Sequence, residues 1–138
     1  MVRLCPRLLP TIPRVTAQTQ SLGALGELVA ERYLRGKGWR VLNRRFRSGH
    51  RDLDLVVEQN GIVAFVEVKT RSGMLFGSPV QAVNWAKQRE LRRSAMIWID
   101  RHGRDEEVYR FDVIGILVSQ DGVRVRHVEN AFSLESRV

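Results

Sequence analysis

Cysteine is nearly absent. Cys5 is the only one in 138 residues, which excludes an intrachain disulfide and a thiolate-based zinc cluster. A reducing, cytoplasmic setting is the expectation. Long apolar runs are missing too: none approaches the roughly 20 residues that cross a bilayer, so no membrane partner is expected. No internal repeat is present. Acids are absent from the first 20 residues, which carry Arg3, Arg7 and Arg14 together with Pro6, Pro10 and Pro13. Prolines at that density interrupt helices and strand ladders alike, and the cleavage-site pattern of a secretory signal is missing. A disordered basic tail over 1–20, or a gene start drawn too far upstream, is the expectation, followed by a single domain over 21–138.

What is present fits one core. At 43% hydrophobic residues, a chain of this length supports one domain rather than two. The 23 Lys and Arg against 15 Asp and Glu leave a formal charge of +8. Such an excess concentrates polyanions around the molecule and favours nucleic acid as the partner, although it says nothing about the fold.

Periodicity sets the order of elements. Leu22, Leu25, Val29 and Tyr33, with Leu28 beside them, recur at helical spacing; Ser21 can cap the start, and Gly36 and Gly38 can end it. Trp39 to Phe46 reads as a short strand and Arg47 to His50 as a turn. RDLDLVVEQ and IVAFVEVKT then read as two strands joined by Asn60-Gly61, a pair suited to a type I′ hairpin turn. The second is apolar on both faces from Ile62 to Val66, so a place inside the sheet is expected. Ser72 to Gly77 suggests a mobile loop. From Pro79, with Ser78 as N-cap, one long helix is expected to about Ile99, with a stripe of Val80, Val83, Leu91, Ala95 and Trp98. After a polar link over Asp100 to Glu107, VYRFDVIGILV reads as a buried strand. Gly122 marks a turn into the alternating VRVRHV.

Strand alternation places Asp52 and Asp54 on one face of the first hairpin strand, and Leu53, Leu55 and Val57 on the other. Glu67 and Lys69 share a face with Val63 and Phe65. If those faces coincide, two carboxylates and an ammonium converge at the open end of the hairpin. Ionised carboxylates in so apolar a strand are costly unless paired or metal-bound, and each raises the other's cost of ionisation. A divalent cation relieves both penalties, and oxygen ligands favour Mg²⁺ or Mn²⁺. The plainer alternatives stay open: a solvated patch at the sheet end, Asp54 paired to an arginine, Asp52 paired to Arg47 or Arg51, and Glu27 as an ordinary helix-surface acid.

Asp54, Glu67, Val68 and Lys69 form a D-x12-E-x-K arrangement that resembles the PD-(D/E)xK nuclease motif, with Leu53 at the proline position. The segments GALGELVAERYL, NRRFRSGHRDLDLVV, FVEVKTR, FGSPVQAVNWAKQREL and RFDVIGI, in that order, resemble the YraN-like family of small bacterial proteins, grouped with Holliday-junction-resolvase-like folds. The resemblance spans about Leu22 to Phe132. It implies an α/β, restriction-endonuclease-like fold with a mixed central sheet flanked by helices. It implies catalytic roles for Glu27, Asp54, Glu67 and Lys69, and a Mg²⁺ or Mn²⁺ ion held by Asp54, Glu67, the Val68 carbonyl and Glu27. It also sets Lys87 and Gln88 beside the acids. This chain departs from the family in carrying His50 and Arg51 between Gly49 and Asp52.

Arg35, Lys37, Arg40, Arg44, Arg45, Arg47 and Arg51 form one basic group, and Lys87, Arg89, Arg92 and Arg93 a second. They read either as solvated faces or as two walls of a phosphate-binding groove, with Arg44, Arg45, Arg47, Arg51, Lys87 and Gln88 as the candidate nucleic-acid-binding residues. Lys87, within an apolar stripe, is either a snorkelling stem or a phosphate contact. Trp39 is either core or a stacking surface. The expectation is a metal-dependent nuclease acting on DNA, including branched DNA, with a homodimer as one possible assembly. The alternative is a non-catalytic nucleic-acid-binding or partner-binding protein on the same scaffold.

Overall fold

In the computed structural model, which describes residues 2–4, 19–49, 51–73 and 78–135, Asn60 and Gly61 turn the chain at φ of 51° and 79°. That is the left-handed pair a two-residue hairpin demands. The elements in chain order are β1 (Val2–Leu4), α1 (Thr19–Gly36), β2 (Arg40–Phe46), β3 (Leu53–Gln59) and β4 (Ile62–Ser72), then a 3-10 turn (Pro79–Ala82), α2 (Trp85–His102), β5 (Val108–Ser119) and β6 (Gly122–Phe132). All strands join one sheet in the order β1-β6-β5-β4-β3-β2. Only β4 and β5 pair parallel. A parallel pair needs a long crossover, and α2 supplies it.

β4 lies inside the sheet, as its two apolar faces require. Ala64 and Val66 face the α1 side, where Leu25, Val29, Ala30, Leu34 and Trp39 pack with Ile114, Ile116 and Val125. Val63 and Phe65 face the α2 side, with Leu91, Ala95, Trp98, Phe111 and Val113. Phe65 is the hub there, its ring 5.6 Å from Trp98 and 5.5 Å from Phe111. Each such side chain contributes roughly 1.5–3 kcal/mol by leaving water. The architecture is an α/β fold with a mixed central sheet flanked by helices, consistent with a PD-(D/E)xK-like arrangement. No helix among the described residues is long and apolar enough to cross a membrane.

Several local expectations need correcting. The single helix from Pro79 is two pieces: Ser78 makes no side-chain cap, Val83 leaves helical geometry, and Asn84 restarts the chain by accepting from Lys87 N. Asn84 is therefore the true cap, and α2 runs on to His102, so the link expected from Asp100 begins later. α1 starts at Thr19, ahead of Ser21, and its buried stripe runs through Leu25, Val29, Ala30 and Leu34, while Leu28 is exposed. Leu53 does not share the core of Leu55 and Val57; it packs with Phe46 on the α2 side, outside the β3–β4 ladder, which ends at Leu55↔Val66. Within the segment expected to be a disordered tail, Val2–Leu4 pair with β6 as an edge strand. Ser72 still belongs to β4, and the loop expected at 72–77 lies, from residue 74, outside the described residues.

Candidate metal centre at the end of the sheet

The β3–β4 ladder ends at Leu55↔Val66, and just past it Asp54 reaches the β4 backbone beside Glu67. Glu67 is 7% exposed. Asp54 Oδ2 accepts from the Val68 backbone N–H at 2.8 Å. Lys69 Nζ lies 4.0 Å from Glu67 Oε2, too far for a hydrogen bond. Burial, and then the neighbouring Glu67 carboxylate, push the Asp54 carboxyl up to about 8 despite the Val68 N–H and Lys69. Asp54 thus holds on to a proton that an exposed aspartate would have shed.

Two cavities meet at these acids. One of about 620 Å³ is lined by Gly49, Arg51, Asp52, Asp54, Glu67 and Glu90. The other, about 440 Å³, is lined by Leu22, Gly23, Glu27, Asp54, Glu67, Val68, Lys69 and Thr70. Among the described residues, the buried side-chain polar atoms without a hydrogen-bond partner are Arg51 Nε and Glu67 Oε2. Both belong to residues lining the larger cavity. A buried orphan donor and a buried orphan acceptor each carry a desolvation penalty of about 1–3 kcal/mol or more, so the site is built for something polar that satisfies both. Hard carboxylate oxygens on Asp54 and Glu67 fit Mg²⁺ or Mn²⁺.

Backbone packing explains how the parts are held. α1 crosses the end of β4 at Gly26, where an added Cβ would fall 1.8 Å from Thr70 Oγ1; only glycine permits that approach. Glu27 follows and faces the smaller cavity. Its carboxylate is forked by Arg45, at 3.2 and 2.6 Å. No group of three or more His, Cys, Asp or Glu converges as a metal cluster among the described residues. The acids brought together are therefore two, Asp54 and Glu67, with Glu27 nearby but engaged. On the other side, buried Ser94 of α2 donates to the Arg51 carbonyl and meets Ser48 Oγ at 2.8 Å. This clasp holds the turn that carries Arg51 against α2.

The remaining candidates divide. Lys87 donates to Ala82 O at 3.2 Å. Lys69, burial and Arg51 together lower its pKa, so its ammonium lies near the acid site. Gln88 is turned elsewhere, donating to Val83 O at 3.0 Å and accepting from Arg92. Arg44 is forked onto Glu31 at 2.6 and 2.8 Å, and Arg47 pairs with Asp52 at 3.7 Å. Trp39 is buried, with the Arg110 guanidinium 5.2 Å above its ring. His50 lies outside the described residues.

The sequence reading missed a second buried acid. Asp112 on β5 accepts from Arg110 at 2.9 and 3.1 Å and from Asn130 N at 3.0 Å, and meets His127 Nε2 at 2.7 Å. Burial alone would raise it, but these bonds from His127, Asn130 and Arg110 outweigh burial and hold it below the usual aspartate range. The signal was a lone acid in the apolar run from Phe111 to Leu117.

A family model described as "Uncharacterised protein family UPF0102" matches residues 26–116. A UPF0102 protein of Trichlorobacter lovleyi is 40% identical over 126 residues, covering 89% of this chain and 98% of its own length. One of Symbiobacterium thermophilum is 41% identical over 117 residues, covering 83% and 98%. One of Alkaliphilus oremlandii is 39% identical over 115 residues, covering 82% and 98%.

Proposed function

Since the chain belongs to the UPF0102 family, the YraN-like group related to PD-(D/E)xK nuclease-like folds, we propose that it is a Mg²⁺- or Mn²⁺-dependent nuclease that hydrolyses DNA phosphodiester bonds. The observation that carries this reading is the pair of orphaned atoms, Glu67 Oε2 and Arg51 Nε, flanking Asp54 in one cavity.

Asp54 and Glu67 would hold the ion, joined by the Val68 carbonyl. When bound, the ion polarises the phosphoryl oxygen and neutralises charge developing in an in-line displacement. The Lys69 ammonium, 4.0 Å from Glu67, orients the attacking water and offsets negative charge on the phosphate. Arg51 supplies its unpaired Nε to a phosphate oxygen, and Lys87 brings a second cation to the same rim. Arg44, Arg45 and Arg47 are tied to Glu31, Glu27 and Asp52, so each can reach a phosphate only by leaving that acid. As in the nucleases that this chain resembles, the product would carry a 5′ phosphate, and branched DNA cut on both strands calls for two copies of the site in a symmetric dimer.

One observation favours a second reading, a non-catalytic nucleic-acid binder on the same scaffold: Glu27 is occupied by Arg45, leaving two acids at the centre. Calorimetric titration with Mn²⁺ separates the two. Wild type is expected to take up the ion, while Glu67→Ala and Asp54→Asn lose more than about 100-fold in affinity, beyond the loss typical of supporting residues. Cleavage of single-stranded, duplex, flap or four-way DNA by wild type in Mg²⁺ or Mn²⁺ completes the test. Salt-sensitive DNA binding with neither uptake nor cleavage supports the binder and overturns the nuclease.

A further inference from the structure

Two of the three tryptophans are core residues: Trp39 is 8% exposed and Trp98 is 2% exposed. Trp85 is different. It opens α2 and is 64% exposed, although a tryptophan has more apolar surface to gain from burial than any other residue. Among the described residues the cap of α2 is made by Asn84 and the packing of this segment by Val83, so neither task falls to the indole.

A cation stands against the ring. Arg89, one turn on, holds its guanidinium 5.6 Å from the Trp85 ring. Residues 85, 89, 92 and 96 recur at i, i+4, i+7 and i+11, which is one helix face. Arg92 starts from that face, but its guanidinium is held by Ser133 O at 2.9 Å and over the Phe132 ring. Arg89 is therefore the cation at the indole, and Met96 closes the face, 54% exposed. Two residues after Trp85, Lys87 donates to the Ala82 carbonyl, and Lys69 and Arg51 stand near enough to lower its pKa. A flat aromatic ring backed by arginine, on the helix that also carries Lys87, is the chemistry that stacks an unpaired base while cations hold its backbone. A second copy of this chain fits worse. A two-fold contact would bring the arginine-bearing face against itself.

We propose that Trp85, backed by Arg89, is a stacking platform for an unpaired nucleobase, so that this helix face selects single-stranded or branched DNA over intact duplex. In a duplex each base already stacks on its neighbours, so the platform gains only where a base is free. The inference rests on the nucleic-acid part of the reading above and not on cleavage, so it is tested without metal.

The full chain is titrated in chelator at low salt with oligo(dT) and, separately, with blunt duplex, following tryptophan emission. With Trp39 and Trp98 buried, Trp85 dominates the solvent-exposed emission, and oligo(dT) should quench it saturably. Stacking on one base accounts for about a 5- to 100-fold loss of oligo(dT) affinity in Trp85→Ala, read by anisotropy, with duplex affinity changed by less than about twofold. Trp85→Phe keeps a ring and should recover part of the loss. Because residue 85 is exposed, both variants should retain wild-type circular dichroism. Oligo(dT) binding without quenching, an equal loss for both DNAs, or a dimer that dissociates in Trp85→Ala would each overturn the platform. If duplex binds and oligo(dT) has no advantage, the platform fails and the nucleic-acid reading stands. If neither DNA binds, both fail.

Discussion

Asp54 and Asp112 are both aspartates held by the same sheet, and their surroundings treat them oppositely. Asp112 receives Arg110, His127 and the Asn130 N–H, and its carboxyl sits below the ordinary aspartate range. Asp54 receives one backbone N–H and faces a second acid, and its carboxyl is pushed up to about 8. Both carboxyls lose solvation, Asp112 fully buried and Asp54 half-buried, and in both burial raises the pKa, so burial alone does not separate structure from function here. What separates them is whether the protein completes the hydrogen-bonding shell itself. At Asp112 it does, and the carboxylate ties β5 to β6. Around Asp54 and Glu67 it does not, and the unfilled valence asks for a ligand.

The sharpest way to break this comparison is to delete each acid in turn. Asp112→Ala strands His127 and Arg110 without their partner and is expected to lose about 3–5 kcal/mol in urea unfolding. Asp54→Asn, measured without metal, should leave stability unchanged or higher. Similar losses at both positions would remove the distinction between a completed shell and an open one.

A pH series tests the same contrast with a known sign. Asp54 has a folded-state pKa above its unfolded value, so its contribution favours the fold at low pH and is lost as pH rises through about 8. In chelator, wild type should lose melting temperature relative to Asp54→Asn between about pH 5 and pH 9. Mn²⁺ should reverse this, raising the melting temperature more at the alkaline end, where the ion no longer competes with the proton. Asp112 works the other way: its contribution is present above its unfolded value and lost only as pH falls through its depressed one. A flat difference curve between wild type and Asp54→Asn contradicts the assignment.

Two smaller effects refine it. Ser94→Ala removes the clasp on the Arg51 carbonyl and is expected to lower stability by about 1–2 kcal/mol and to weaken DNA binding at low salt. Unaltered DNA affinity would mean that Arg51 needs no such support. Arg45→Gln frees Glu27 from an exposed ion pair, so its effect on stability should stay within about 1 kcal/mol. Tighter Mn²⁺ binding in that variant would bring Glu27 into the metal shell, and unchanged binding would leave the centre with two acids.

The long-period features of this fold were legible in the sequence. Asn60-Gly61, the doubly apolar run from Ile62 to Val66 and the alternation after Gly122 gave the hairpin, the internal strand and the last strand. Asp54, Glu67 and Lys69 were legible as a group because charge stood out in apolar strands. What escaped was decided by tertiary contacts. Breaking the Pro79 helix at Val83 depends on the Asn84 cap, and sending Leu53 to the opposite core depends on where the β3–β4 ladder stops. Asp112 was hidden because its partners are scattered in sequence, with His127 and Asn130 fifteen and eighteen residues away. The orphaned Arg51 Nε was invisible for the same reason, since its burial is decided by what packs around it in three dimensions.

At residue 26 a hydrogen occupies the space a methyl would need, and Thr70 Oγ1 stands 1.8 Å from where that methyl would sit. The width of the slot between helix and strand is therefore set by the smallest possible side chain. Any larger residue would lever α1 away from the strand end and carry Glu27 with it. The reach of that third acid is governed by a neighbour that has no chemistry of its own.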